Sequence, residues 1–219
     1  MCKQANIQSW NLKKYLFDTL VTLVIMYGVE VWGGSLSKDR WNDIEKIQKL
    51  FLTKFLVVRR TTPYPILLLE TGSMPLEALG MEQLLKYIKK INRMPKDRIP
   101  LIAWKASCRP QKTRKSKLLA SGWMLDNEKW LDRWDAKALL RHPTNDPMAI
   151  TACLQRQLIK RWEEQNSSRL KHYIEEINTN FKAQYYKEKW ERPVAYLLES
   201  VNISAQRKVA SIRTGSHNL

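Results

Sequence analysis

Apolar residues recur at spacings of three and four along most of the chain, the period of an α-helix with one buried face. Leu12, Tyr15, Leu16, Thr19, Leu20, Leu23, Val24 and Tyr27 form one such stripe, which predicts a first helix ending at the break Gly33-Gly34-Ser35. The uncharged stretch from Thr19 to Val29 within it reads as a buried helix. Ser37 is placed to cap the next helix, on which Trp41, Ile44, Ile47, Phe51 and Phe55 share a face while Lys46, Lys49 and Lys54 fall opposite. Arg59-Arg60-Thr61-Thr62-Pro63-Tyr64-Pro65 stops that helix, because a proline disfavours helical geometry at the residue before it. A short apolar segment, Ile66 to Glu70, runs into Thr71-Gly72-Ser73-Met74-Pro75, where the glycine closes one helix and the proline opens another. The helix so opened turns Leu76, Leu79, Leu84, Tyr87, Ile88 and Ile91 inward and Glu82, Lys86, Lys89 and Lys90 outward.

Beyond Pro95 and Pro100 the pattern is less regular. Asn127 to Leu140 reads as a helix with Trp130, Leu131, Trp134 and Ala138 on one side, ended by His142-Pro143. Ala149 to Trp162, Arg169 to Phe181 and Tyr185 to Leu198 are further helices, and Ser200 onward predicts a last one, anchored by Val209 and Ile212 and stopping at Gly215. The expectation is an all-α protein with a helical bundle over 1–97, a basic linker over 98–122 and a second, less regular helical region over 123–219.

Composition adds a second constraint. Of 219 residues, 38 are Lys or Arg and 21 Asp or Glu, a net charge of +17, which draws polyanions to the surface. The excess is uneven: Arg98, Lys105, Arg109, Lys112, Arg114, Lys115 and Lys117 follow one another with no acidic residue between them. That run reads as a linker or exposed arm that contacts a polyanion. Basic residues also adjoin aromatics at Trp104-Lys105, Lys160-Arg161-Trp162 and Tyr185-Tyr186-Lys187-Glu188-Lys189-Trp190. Exposed rings could stack on bases there, although Trp and Tyr at helical spacing more commonly fill a core, and the core reading is favoured for Tyr185 to Trp190. The apolar stretch near the N-terminus falls short of the roughly 20 residues needed to cross a bilayer, and no signal-peptide pattern opens the chain. An intracellular, cytoplasmic or nuclear, protein without a membrane partner is expected.

The usual signatures of catalysis are missing. No Asp-Asp pair of the kind that binds polymerase metals occurs, nor a phosphate-cradling glycine loop, a Gly-x-Ser-x-Gly elbow or a His-Glu-x-x-His pair. Asp135-Ala136-Lys137 matches only the tail of a nuclease motif and reads as solvated surface. Cys2, Cys108 and Cys153 are too scattered for a disulfide framework or a zinc site, and His142, His172 and His217 for a metal site. Cys108 and Cys153 read as small buried apolar residues. No catalytic residue, metal or cofactor is assigned. The sequons Asn166-Ser167-Ser168 and Asn202-Ile203-Ser204 are read as chance.

Ile25-Met26-Tyr27-Gly28-Val29-Glu30-Val31-Trp32-Gly33, followed by the helix through Ile44-Glu45-Lys46-Ile47-Gln48-Lys49-Leu50-Phe51-Leu52, resembles the segment after the palm in non-LTR (LINE-like) retrotransposon reverse transcriptases. Leu69-Glu70-Thr71-Gly72-Ser73-Met74-Pro75-Leu76 and Leu84-Leu85-Lys86-Tyr87 continue it in order. Leu170-Lys171-His172-Tyr173, Phe181 through Tyr185-Tyr186, and Ile212-Arg213-Thr214-Gly215-Ser216-His217-Asn218-Leu219 are similar to the stretch ahead of that family's zinc knuckle. The resemblance implies a thumb-like domain over 1–97 and a connector over 123–219, lying between a palm and a knuckle that this sequence does not contain. It therefore implies a fragment of an RNA-directed DNA polymerase that does not polymerise by itself. Its expected partners are nucleic acid (RNA–DNA hybrid, RNA or DNA) and a palm-containing reverse transcriptase chain.

On a thumb, phosphate contacts would come from Lys46, Lys49, Lys54, Arg59 and Arg60, and the acid-free run adds Lys105, Arg109, Lys112, Arg114, Lys115 and Lys117. The alternatives are a helical protein-interaction module, whose exposed apolar face binds another protein, and an untranslated remnant with no independent function.

Overall fold

The computed structural model describes residues 9–107, 122–141, 147–165, 167–177, 195–198 and 202–215. Among them every regular element is helical. Helix α1 (Trp10–Phe17) runs through a π-helical turn, Asp18–Thr22, into α2 (Leu23–Met26), and α3 (Val29–Trp32) leads into a 3-10 turn, Gly33–Ser35. Then follow α4 (Lys38–Leu56), α5 (Tyr64–Thr71), α6 (Leu76–Asn92), α7 (Ile99–Ser107), α8 (Trp123–Asp132), α9 (Lys137–Arg141), α10 (Pro147–Glu164) and α11 (Ser168–His172). A second π-helical turn, Tyr173–Ile177, precedes α12 (Ala195–Leu198) and α13 (Ile203–Arg213).

Local chemistry accounts for several boundaries. The Ser37 hydroxyl accepts from the Arg40 N–H at 3.4 Å and caps α4. Gly72 ends α5 at φ 61°, and Pro75 precedes the first residue of α6. The first helix stops earlier than the apolar pattern suggests, because Gly28 adopts φ 67° between α2 and α3. Asp135, at φ 50°, likewise splits the helix expected over Asn127 to Leu140 into α8 and α9. Both sequons carry caps: Asn202 accepts from the Ser204 N–H at 2.9 Å, and Ser167 from the Leu170 N–H at 3.4 Å.

Contacts divide the chain into two compact units that do not follow chain order. One comprises Met1–Tyr27, Asn42–Leu76 and Ile159–Leu219, the other Gly28–Trp41 and Glu77–Leu158.

In the first unit, Trp10, Phe17, Phe51 and Phe55 pack as an aromatic cluster, with Phe17 stacked on Phe51 at 4.2 Å and Trp10 tilted against Phe55 at 4.7 Å. Leu52, Leu56, Ile66, Leu67, Leu68, Leu170 and Leu197 complete the core. The apolar stripe expected to be buried on α1 and α2 instead faces outward. Leu12, Tyr15, Leu20, Leu23, Val24 and Tyr27 are all exposed, Val24 at 74% and Tyr27 at 86%, because Trp10, Phe17 and Met26 are the residues that turn inward. The anchors expected on the last helix are also exposed: Ala210 and Gln206 are buried, whereas Val209 and Ile212 face out.

The second unit is built around tryptophan. Trp41 stacks on Trp130 at 5.2 Å and on Trp32 at 5.8 Å. Glycines make the approach possible: a Cβ at Gly33 would meet the Trp130 ring at 2.6 Å, and one at Gly80 would lie 3.1 Å from Trp41. The Trp41 indole N–H donates to the Gly33 carbonyl at 3.1 Å and that of Trp130 to the Glu77 carboxylate at 3.0 Å. Met81, Leu84, Leu85, Ile88, Leu131, Ile150 and Leu154 are buried in the same unit. Ala138, expected on the inner side, is exposed, and Ala136 takes that role.

Candidate nucleic-acid interface

The cations expected on the outer side of α4 do not form an unbroken basic face. Lys46 is exposed and ion-paired with Asp43 at 2.7 Å. Lys49 is half-buried, and Lys54 is exposed. Between them, Ile47 and Leu50 are 44% and 45% exposed, although the sequence places Ile47 inward. The inward side is instead carried by Trp41, Gln48, Leu52, Thr53, Phe55 and Leu56. Gln48 is held there by two hydrogen bonds, its Nε2 donating to the Met74 carbonyl at 3.0 Å and its Oε1 accepting from the Tyr64 hydroxyl.

Positive charge concentrates where α4 ends. Lys54 sits in the last turn, and Arg59 and Arg60 are exposed just beyond it. Between them Val57 takes φ 54°, and the Val58 N–H closes the helix end on the Thr53 carbonyl at 3.2 Å. Lys54 and Arg60 have no carboxylate within ion-pair distance among the described residues. The negative end of the helix dipole favours cations at this place for structural reasons alone. The same placement leaves them able to meet phosphate.

The first part of the acid-free run, to Lys105, lies among the described residues. It is carried by helix α7, packed through Leu101 and Trp104 and so neither linker nor arm, with Arg98 and Lys105 exposed. Arg109, Lys112, Arg114, Lys115 and Lys117 lie outside the described residues. Lys105 belongs to the second compact unit, and the cations of α4 belong to the first. Trp162, beside Lys160 and Arg161, is a core residue rather than a stacking platform. Tyr185 to Trp190, His142, His217 and Cys108 also fall outside the described residues.

A constellation that the sequence reading passes over lies in the first unit. Glu70 is completely buried at the end of the apolar run of α5. Its Oε1 accepts from Arg213 Nε at 2.7 Å and from the Tyr196 hydroxyl at 2.7 Å, and its other oxygen accepts from the Tyr173 hydroxyl. Burial first, and then the Glu70 charge, push both tyrosine hydroxyls well above their ordinary range. Burial opposes the Arg213 charge, but the hydrogen bond and charge of Glu70 outweigh it and raise that group. The only sequence signal is a lone carboxylate closing the apolar string Ile66-Leu67-Leu68-Leu69. The arrangement fastens α12 and α13 to α5.

Reactive chemistry is sparse. Burial pushes the Cys153 thiol up, with the Arg156 charge pulling the other way, so the sulfur is not activated. Asp135 is exposed in the turn between α8 and α9. Among the described residues no group of three His, Cys, Asp or Glu is placed to hold a metal ion, and no single helix is long and apolar enough to cross a membrane. Comparison with protein-family models, with curated proteins and with solved structures returns no match.

Proposed function

We propose that this chain is the thumb and connector part of a non-LTR retrotransposon reverse transcriptase, and that it binds the backbone of a primer–template duplex without reading its sequence. The carrying observation is the charge excess of +17, with Lys54 and Arg60, at the end of α4, having no carboxylate within ion-pair distance among the described residues. Lys46, Lys49 and Arg59 extend the contact, with Lys46 shared between phosphate and Asp43. Such contacts position a duplex, and each phosphate neutralised releases counterions. Replacing Lys54, Arg59 and Arg60 together by Ala removes up to three contacts, about 2.7 from the slope of log affinity against log salt. That corresponds to about 40-fold less loss of affinity between 50 and 200 mM salt, equally for duplexes of different sequence. A triple variant with the wild-type slope contradicts the assignment of these residues.

A second reading rests on a separate observation, the exposed apolar line Leu12, Tyr15, Leu20, Leu23, Val24 and Tyr27. Exposed apolar patches mark interaction sites. A palm-containing reverse transcriptase chain is the partner this reading expects. Co-purification with such a chain, with no nucleic acid carried along, favours the interaction module over the duplex binder.

A further inference from the structure

Helix α13 meets the end of α4, although the two lie far apart in the chain, and both belong to the first compact unit. Arg207 donates from Nε to the Phe55 carbonyl at 3.2 Å. Phe55 sits in the last turn of α4, where the carbonyls have no partner within the helix. The bond holds a half-buried guanidinium at the negative end of the helix dipole. Among the described residues Arg207 makes no other hydrogen bond or ion pair, so its two terminal nitrogens carry donors that α4 does not use.

Capping a carbonyl takes one neutral donor, which a glutamine supplies. A guanidinium adds a permanent charge and a planar fork, the geometry that meets a phosphate through two parallel hydrogen bonds. That charge has company. Lys13 holds its Nζ 5.3 Å from the centre of the Phe55 ring, Lys54 precedes Phe55 in the same turn, and Arg59 follows it by four residues. Four residues span at most about 14 Å, and phosphates on one strand recur about every 3.4 Å along a duplex axis, so this end of α4 faces about four of them. Lys54, Arg60 and Arg207 have no carboxylate within ion-pair distance among the described residues. We infer that Arg207 is a phosphate-contacting residue, and that α13 and the end of α4 together form one site for the backbone of a nucleic acid. The inference rests on the duplex-binding reading and adds to it a residue from a segment that no local sequence pattern connects with α4.

The test is the salt dependence of binding to an RNA–DNA hybrid between 50 and 200 mM salt, read by anisotropy, with the melting temperature of each variant recorded. Arg207→Gln keeps a donor for the Phe55 carbonyl and loses the charge. It is expected to lower the slope of log affinity against log salt by about 0.9, which is about 3.5-fold less loss of affinity across the series. Arg207→Lys is expected to restore most of that slope, because a point charge still neutralises a phosphate. Ser204 is exposed and lies three residues before Arg207, on the same side of α13. Ser204→Glu sets an anion there, in the first turn where the helix dipole favours it, and is expected to lower the slope by a similar amount with the melting temperature unchanged. A cap that is only structural moves the melting temperature and leaves the slope. Wild-type slopes in both Arg207→Gln and Ser204→Glu therefore overturn the inference, and the duplex reading survives if binding by the wild-type protein still weakens with salt. Inorganic phosphate at equal phosphate concentration is expected not to compete, and competition by it overturns the assignment to a strand. Wild-type protein that does not bind the hybrid at 50 mM salt, or binds it with no salt dependence, overturns the underlying reading as well.

Discussion

Replacing Arg213 by Met removes the cation that faces a carboxylate with no access to water. Glu70 is fully buried and Arg213 is 26% exposed at its side chain, with 2.7 Å between Nε and Oε1. Two unit charges about 4 Å apart at an effective dielectric constant near 20 interact by about 4 kcal/mol. Breaking a buried pair from one side costs about 3–5 kcal/mol, because the remaining charge is left without compensation. The exposure of Arg213 screens part of this, and the hydroxyls of Tyr173 and Tyr196 still donate to Glu70, so the low end, about 3 kcal/mol, is expected. In a chain of this size that lowers the melting temperature by about 6–12 °C. Urea unfolding followed by tryptophan fluorescence measures it directly. Adding Glu70→Gln removes the stranded charge, so the double variant is expected to be more stable than Arg213→Met by about 1 kcal/mol or more. A loss below about 1 kcal/mol for Arg213→Met, with additive behaviour in the double variant, refutes the reasoning, because it means the pair is not held in a low-dielectric interior.

Three further outcomes follow from the packing. Val57→Gly is expected to stabilise the protein by about 1 kcal/mol, since a β-branched residue at φ 54° is strained where glycine is not; a lower melting temperature contradicts it. Gly33→Ala is expected to cost about 2–3 kcal/mol, because its Cβ would lie 2.6 Å from the Trp130 ring, and unchanged stability in urea would show that the stack yields. Above about pH 10 the unfolded chain loses phenolic protons that Tyr173 and Tyr196 retain when folded. Stability is therefore full below that pH and falls above it by about 1.4 kcal/mol per pH unit for each. Tyr196→Phe should show a shallower alkaline slope than wild type, and an identical slope contradicts the burial of that hydroxyl.

The helical class, the Ser37 cap, the Gly72 stop and the Pro75 start were legible because each depends on a few adjacent residues. The burial of α1 and α2 was not. A stripe spaced at three and four looks the same whether it meets a core or solvent, and here Trp10, Phe17 and Met26 occupy the inner side instead. The division into units was hidden for a related reason: it joins segments such as 42–76 and 159–219, which no local pattern connects. Lys54, Arg59 and Arg60 could be placed on the surface from sequence, whereas the interruption by Ile47 and Leu50 depends on how α4 is rotated about its own axis. Glu70 was passed over because its partners, Tyr173, Tyr196 and Arg213, are distant in the chain and their pairing exists only in the folded state.

The central claim is that the surplus charge serves to bind a nucleic-acid backbone. The most direct test is the affinity of the whole chain for an RNA–DNA hybrid duplex of arbitrary sequence, measured by anisotropy across a salt series from 50 to 200 mM. The predicted result is sub-micromolar binding at the low end that weakens linearly in the logarithm of salt, with a slope of about −3 to −6 and no dependence on sequence. An affinity that stays flat across the series, or no binding at its low end, contradicts the account.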